Sequence, residues 1–248
     1  MAPIDQAPCY GGNAYSIERV RYFPRQLLTA DDMLTEQEYF RQRQRRFNRF
    51  VVGWGVVCGL DVKVDQTNSK MLLVCPGYAL GPWGDEIYVG KEVQFDWQGC
   101  VTATPSPCDP GGGEEESATG SVTKYLGIKY TECPSRPVRT TPYGCGCDET
   151  GCDYSRTRDG FSLACLREPP TSHAQPEDAP TFCEGIGRKL LPCPPCPNEP
   201  WLVLATLTIR ELSTGGTART VEVDLLKGRR VLVNARLAQE QLHSCCCG

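Results

Sequence analysis

Histidine is almost missing from this chain. The two present, His173 and His243, stand in segments of little periodicity and beside no patterned nucleophile, which excludes a histidine-based triad. Phosphate-cradling glycine signatures are missing too: no GxxxxGK[ST] or GxGxxG occurs, and Gly111-Gly112-Gly113 has no strand before it and no helix after it. Glu114-Glu115-Glu116 follows in the same scaffold-free stretch, where nothing would raise a carboxyl pKa for acid/base work, so it reads as solubilising charge. No run approaches the roughly 18 apolar residues of a membrane span, and the opening MAPIDQAPCYGGNAY has neither the basic region nor the apolar core of an export signal. Synthesis in the cytoplasm without a signal peptide is the expectation, with release inside a particle as one route out of the cell. A net charge of −4 lacks the basic excess of a nucleic-acid binder. Together these absences point to a protein that is not an enzyme.

Cysteine is abundant, at 16 residues, and so are glycine at 25 and proline at 20. In a reducing compartment such density means metal ligands or idle thiols more often than disulfides. Cys193-Pro194-Pro195-Cys196 has the spacing that lets two thiolates grip one tetrahedral zinc, and Cys145-Gly146-Cys147 offers further thiolates in the same irregular region. Structural zinc on Cys145, Cys147, Cys193 and Cys196, disulfides, and unlinked thiols all stay open. The four prolines around the CxxC exclude the helix N-terminus that a redox-active pair needs. Cys58, Cys75 and Cys165 fall in strand-like apolar runs and read as small buried hydrophobes.

The organised part begins at Val20. Thr29 suits an N-cap, Asp31 and Asp32 place negative charge in the first turn, and arginines gather toward the far end, so the spacing predicts a helix that stops near Gly53. Phe40, Phe47 and Phe50 are expected to anchor it to the core. Arg41, Arg45 and Arg49, spaced by four, share a face expected to meet an acidic partner surface. Gly53-Trp54-Gly55 reads as a tight helix-to-strand turn with an aromatic plug, followed by strand over Val56–Val64.

Further strands are expected at Met71–Cys75, Glu86–Val89, Glu92–Trp97 and Ser121–Tyr130, with a hairpin from Trp201–Leu212 and Thr220–Leu226. Asn234–His243 reads as a short helix. The divisions are an N-terminal arm over 1–20, helix plus first β segment over 21–98, a linker over 99–120, and a second β segment over 121–248 that contains a long irregular Cys/Pro-rich insertion over 133–200. The fold class is mainly β, a sandwich or small barrel, with one prominent N-terminal α-helix. The 40% hydrophobic content is enough for a core in one composite domain.

Tyr22-Phe23-Pro24-Arg25-Gln26-Leu27-Leu28-Thr29-Ala30-Asp31-Asp32, Gly53-Trp54-Gly55-Val56-Val57-Cys58-Gly59-Leu60 and Pro76-Gly77-Tyr78-Ala79-Leu80 with Gly84-Asp85-Glu86-Ile87 resemble an uncharacterised bacterial family with YFPGQLLTADDF…HGWGVVCGLEV…PGxALDxxGxEI blocks. Trp201-Leu202-Val203-Leu204-Ala205 through Arg229-Arg230-Val231-Leu232 is similar to later blocks of the same family. Such proteins often lie beside genes for phage-tail-like contractile injection systems. The resemblance therefore implies a structural or accessory part that docks onto other protein subunits of a particle, with self-association left open. The alternative is a metal- or disulfide-stapled binding module for a surface ligand. Arg25 departs from the family's Gly, and a turn of different shape after Pro24 is expected from that exchange.

Overall fold

The computed structural model describes residues 17–102, 121–139, 152–173, 193, 196–211 and 219–233. It is mainly β with one N-terminal helix, as expected. Helix α1 spans Ala30–Phe47 and runs into a single π-helical turn, Asn48–Val52, which ends at Gly53 with φ 89°. The start is a full capping box: the Thr29 hydroxyl accepts from the Asp32 N–H, and the Asp32 carboxylate accepts from the Thr29 N–H at 2.8 Å. That backbone hydrogen bond, with the one from the Thr29 side chain behind it, holds the Asp32 carboxyl below the ordinary range.

Ten strands follow among the described residues: β1 Gly55–Gly59, β2 Val62–Val64, β3 Met71–Val74, β4 Gly77–Leu80, β5 Glu86–Val89, β6 Val93–Asp96, β7 Ser121–Arg139, β8 Cys152–Leu166, β9 Leu202–Glu211 and β10 Arg219–Asp224. They pair antiparallel in three sheets, ordered β1-β4-β5, β2-β3-β6 and β10-β9-β7-β8. One apolar cluster joins all three, with Leu60, Leu72, Ile87, Trp97, Leu126, Ile128, Leu202 and Leu204 fully enclosed. Alternation explains the pairing: in β5 the pattern exposed, buried, exposed, buried sends Ile87 and Val89 inward while Tyr88 faces water.

Several expectations need correcting. The strand expected over Val56–Val64 is two strands, because Leu60 takes φ 58° and breaks the ladder while its side chain stays buried. The insertion expected to be irregular over 133–200 is in good part a hairpin, β7 pairing β8 from Tyr125↔Leu166 to Arg139↔Cys152. Pro134 and Pro137 concealed it in the sequence. Beyond Ile128, β7 no longer pairs with β9, so only one side of the strand needs backbone donors there and proline is tolerated. The hairpin expected around Ser213–Gly216 is present, with Arg219↔Glu211 to Asp224↔Thr206 in register. The short helix expected over Asn234–His243 lies outside the described residues.

Turn Phe23–Gln26 is closed by the Gln26 N–H donating to the Phe23 carbonyl at 3.2 Å, with Pro24 second and Arg25 third at φ 69°. That is the pattern of a type II turn, whose third position favours glycine. Arg25 accepts the left-handed conformation there at a cost.

The blocks that carry the resemblance meet one another in space. The Val56 N–H donates to the Arg230 carbonyl and the Leu232 N–H to the Val56 carbonyl, both at 2.8 Å. Arg229 caps the other end of β1, donating to the Gly59 and Leu60 carbonyls.

Candidate docking site

Helix α1 contributes no buried residue to the core. It is attached along one face, and there the three arginines singled out from the sequence are found. Arg41 pairs with Glu38 on its own helix and with Glu132 of β7. The Glu38 side-chain hydrogen bond, aided by the charge of Glu132, raises Arg41 above its ordinary pKa. Arg45 donates through Nε to Asp85 Oδ1 at 2.6 Å, and the Asp85 side chain is only 9% exposed. Arg49 donates to Cys196 Sγ at 3.1 Å and lies 4.4 Å above the Phe50 ring. The shared face is as expected, but the acids it meets through Arg41 and Arg45 are this chain's own. Spacing reveals a common face; it does not reveal what the fold lays against it.

The last turn of α1 is seated by backbone. Asn48, nearly buried, donates from Nδ2 to the Gly84 carbonyl at 2.8 Å. Gly84 takes φ 89°, and a Cβ placed there would stand 2.2 Å from the Arg45 carbonyl oxygen. Only glycine lets the turn before β5 come this close to the helix. Trp83 flanks the same contact and donates from Nε1 to the Pro197 carbonyl at 2.9 Å.

The opposite face is apolar and open. Phe40, Phe47 and Phe50 are 57%, 52% and 42% exposed, so they do not anchor the helix to the core as expected. The reason is geometric: the arginine face already occupies the body, and the phenylalanines point away from it. Tyr22, Phe23, Leu27, Leu28, Met33, Val51 and Val52 are exposed as well, along the helix and the segments flanking it, while Leu34, exposed too, lies on the arginine face seven residues before Arg41. A groove of about 320 Å³ beside the helix is lined by Ile17, Glu18, Leu34, Thr35, Glu38 and Tyr39.

Of the four cysteines expected as zinc ligands, Cys145 and Cys147 lie outside the described residues. Cys193 and Cys196 are exposed free thiols, Cys196 beside Arg49. Among the described residues no group of three or more His, Cys, Asp or Glu is arranged to hold a metal ion. Cys165 is not a lone buried thiol as expected; it forms a disulfide with Cys100 across 65 residues, tying β8 to the short helical turn Gly99–Thr102. Cys58 is exposed, since β1 lies at a sheet edge and its C-terminal half turns to solvent.

One ionisable cluster escaped the sequence reading. His173 closes a 3-10 turn, Thr171–His173, and its Nε2 accepts from the Val203 N–H at 3.1 Å. Trp54 stands edge-on to it at 4.9 Å, and Arg230 covers the other part of the indole at 4.2 Å. Burial first, and then the Arg230 charge, push His173 down to about 4. This is a neutral imidazole bracing the Trp54 plug. A His three residues after Pro169-Pro170 gives no sequence signal for that role.

No helix among the described residues is long and apolar enough to cross a membrane. No protein-family model and no curated protein matches the chain.

Proposed function

We propose that this protein is a non-enzymatic structural or accessory subunit of a phage-tail-like contractile injection particle, held in place by docking onto neighbouring subunits. The observation that carries the reading is the exposed apolar face of α1, with the phenylalanines at 57%, 52% and 42% exposure while the arginine face is already engaged on the body. Sequestering such a face from water on assembly contributes roughly 25 cal/mol per Å² of apolar area, less what the ordering of its side chains costs. The family resemblance supplies the context, and the engaged arginines move the contact surface from the basic to the apolar side of the helix.

The test is fractionation. With an epitope tag on the chromosomal copy, the protein should sediment with assembled particles, and Phe40→Asp with Phe47→Asp should release it while its own melting transition is kept. A protein that sediments alone in cells making such particles would end the reading.

A further inference from the structure

The exposed face of α1 has a periodicity narrower than a general apolar patch. Ala30, Met33, Gln37, Phe40, Gln44 and Phe47 follow one another at spacings of three and four, the a and d positions of a heptad, and every one of them is exposed. Among the described residues, Phe40 of this seam stands edge-on to Tyr39, and Gln44 donates to Asn48 Oδ1 at 3.0 Å, both contacts within the helix and its continuation. Charge along the same helix is polarised: Asp31, Asp32, Glu36 and Glu38 occupy the first half, and Arg41, Arg43, Arg45 and Arg46 the second.

We infer that α1 pairs antiparallel with α1 of a second copy of this chain, about a twofold axis near the middle of the helix. Aligned end to end, the pairing sets Ala30 against the second copy's Phe47, Met33 against its Gln44, and Gln37 against its Phe40, and the twofold repeats each layer. Small opposite large at the ends lets the phenyl rings seat over Ala30 without forcing the helices apart. Glu36 and Arg43 lie on the same flank of the seam on either side of the axis, so each Glu36 faces the other copy's Arg43. Arg43 is exposed and makes no ion pair among the described residues. Among the described residues Glu36 accepts from the Val20 N–H, at 3.3 Å through Oε2, and no bond there uses Oε1. A parallel pair would instead set Glu36 against the other copy's Arg41, already engaged with Glu38 and Glu132, and align the two helix dipoles, which is unfavourable. The antiparallel twofold is thus selected by charge and dipole, while Met33, Phe40 and Phe47 supply the apolar contact.

This inference rests on the reading of α1 as an assembly surface but assigns its occupant. The test is sedimentation equilibrium of the full chain between about 1 and 100 µM, with free thiols alkylated so that no cross-link contributes. The wild type should approach twice the 27.4 kDa of one chain, and Phe40→Asp should remain at one chain with an unchanged melting transition. Glu36→Arg should weaken association roughly tenfold, since two attractions become two repulsions. Glu36→Arg with Arg43→Glu should restore it to within about threefold, although the Val20 contact stays lost. A monomer at every concentration, or an oligomer indifferent to these variants, overturns the pairing. A monomer that still sediments with particles overturns the pairing alone; a charge-sensitive dimer that never does so overturns the assembly role alone.

Discussion

Adding one methyl group at Gly84 should unseat the helix. In Gly84→Ala the new Cβ would lie 2.2 Å from the Arg45 carbonyl oxygen and 2.9 Å from the Arg45 Cα, at a backbone φ of 89°. Backbone stands on both sides, so no side chain can swing away to relieve it. Holding a non-glycine residue at that φ costs about 1–2 kcal/mol, and overpacking adds about 1–3 kcal/mol. The combined loss, about 2–5 kcal/mol, is limited by the free energy with which the last turn of α1 is docked, because that turn can retreat instead. For a chain of this size the melting temperature should drop by roughly 5–15 °C. The internal control is Gly81→Ala in the same turn, whose Cβ would meet nothing closer than 3.6 Å. Calorimetry gives the stability difference, and amide exchange locates it: in Gly84→Ala, exchange should rise over Arg45–Gly53, where the Asn48 bond to the Gly84 carbonyl is strained. If Gly84→Ala and Gly81→Ala both melt within about 1 °C of the wild type with unchanged exchange, the account of how α1 is seated is wrong.

Three further outcomes follow from the same geometry. Arg25→Gly should stabilise the protein by about 0.5–1 kcal/mol, as relief of the positive φ outweighs the added freedom of the unfolded chain, and a denaturant midpoint that falls would contradict it. Arg45→Met should lose about 1–3 kcal/mol by leaving the Asp85 carboxylate, 9% exposed, without its partner; adding Asp85→Asn should recover part, which a double-mutant cycle measures. His173 has a folded pKa of about 4 against an ordinary 6.5, so between those values the unfolded chain takes up a proton that the native state refuses. Stability should accordingly fall as pH drops from 6.5 toward 4, by about 1–2 kcal/mol after allowance for partial exposure. His173→Gln should flatten that part of the profile, and a wild-type curve already flat there would refute the assignment.

The helix was legible because its signals are local. Thr29 and Asp32 are three residues apart, Gly53 ends the run, and each acts through hydrogen bonds or φ angles within one turn. Strands with clean alternation, such as Glu86–Val89, were equally plain. What the sequence hid is what depends on distant neighbours. Whether Phe40 or Arg45 turns to the body is decided by Asp85 and Glu132, 40 and 91 residues from their arginines. The Cys100 and Cys165 pairing spans 65 residues with no spacing rule to suggest it. Pro134 and Pro137 argued against a strand that exists because its outer side needs no donors. His173 could be placed only once the fold had brought Trp54, Val203 and Arg230 around it.

The resemblance blocks are accounted for by backbone contacts: Gly59 against Pro76, Gly84 against Arg45, and Val56 between Arg230 and Leu232. They specify how the elements close on one another, and the outward face of α1 stays exposed.

The most direct measurement places a photo-crosslinking benzoylphenylalanine at position 40 in the native cell, with position 88, where Tyr88 is exposed on β5, as the control. Adducts identified by mass spectrometry as a second copy of this chain or a subunit of the tail-like particle, formed from position 40 and not from 88, are the predicted result. Position 40 yielding no adduct, while the protein is folded and irradiated in cells assembling particles, would contradict the claim that this face is an assembly surface.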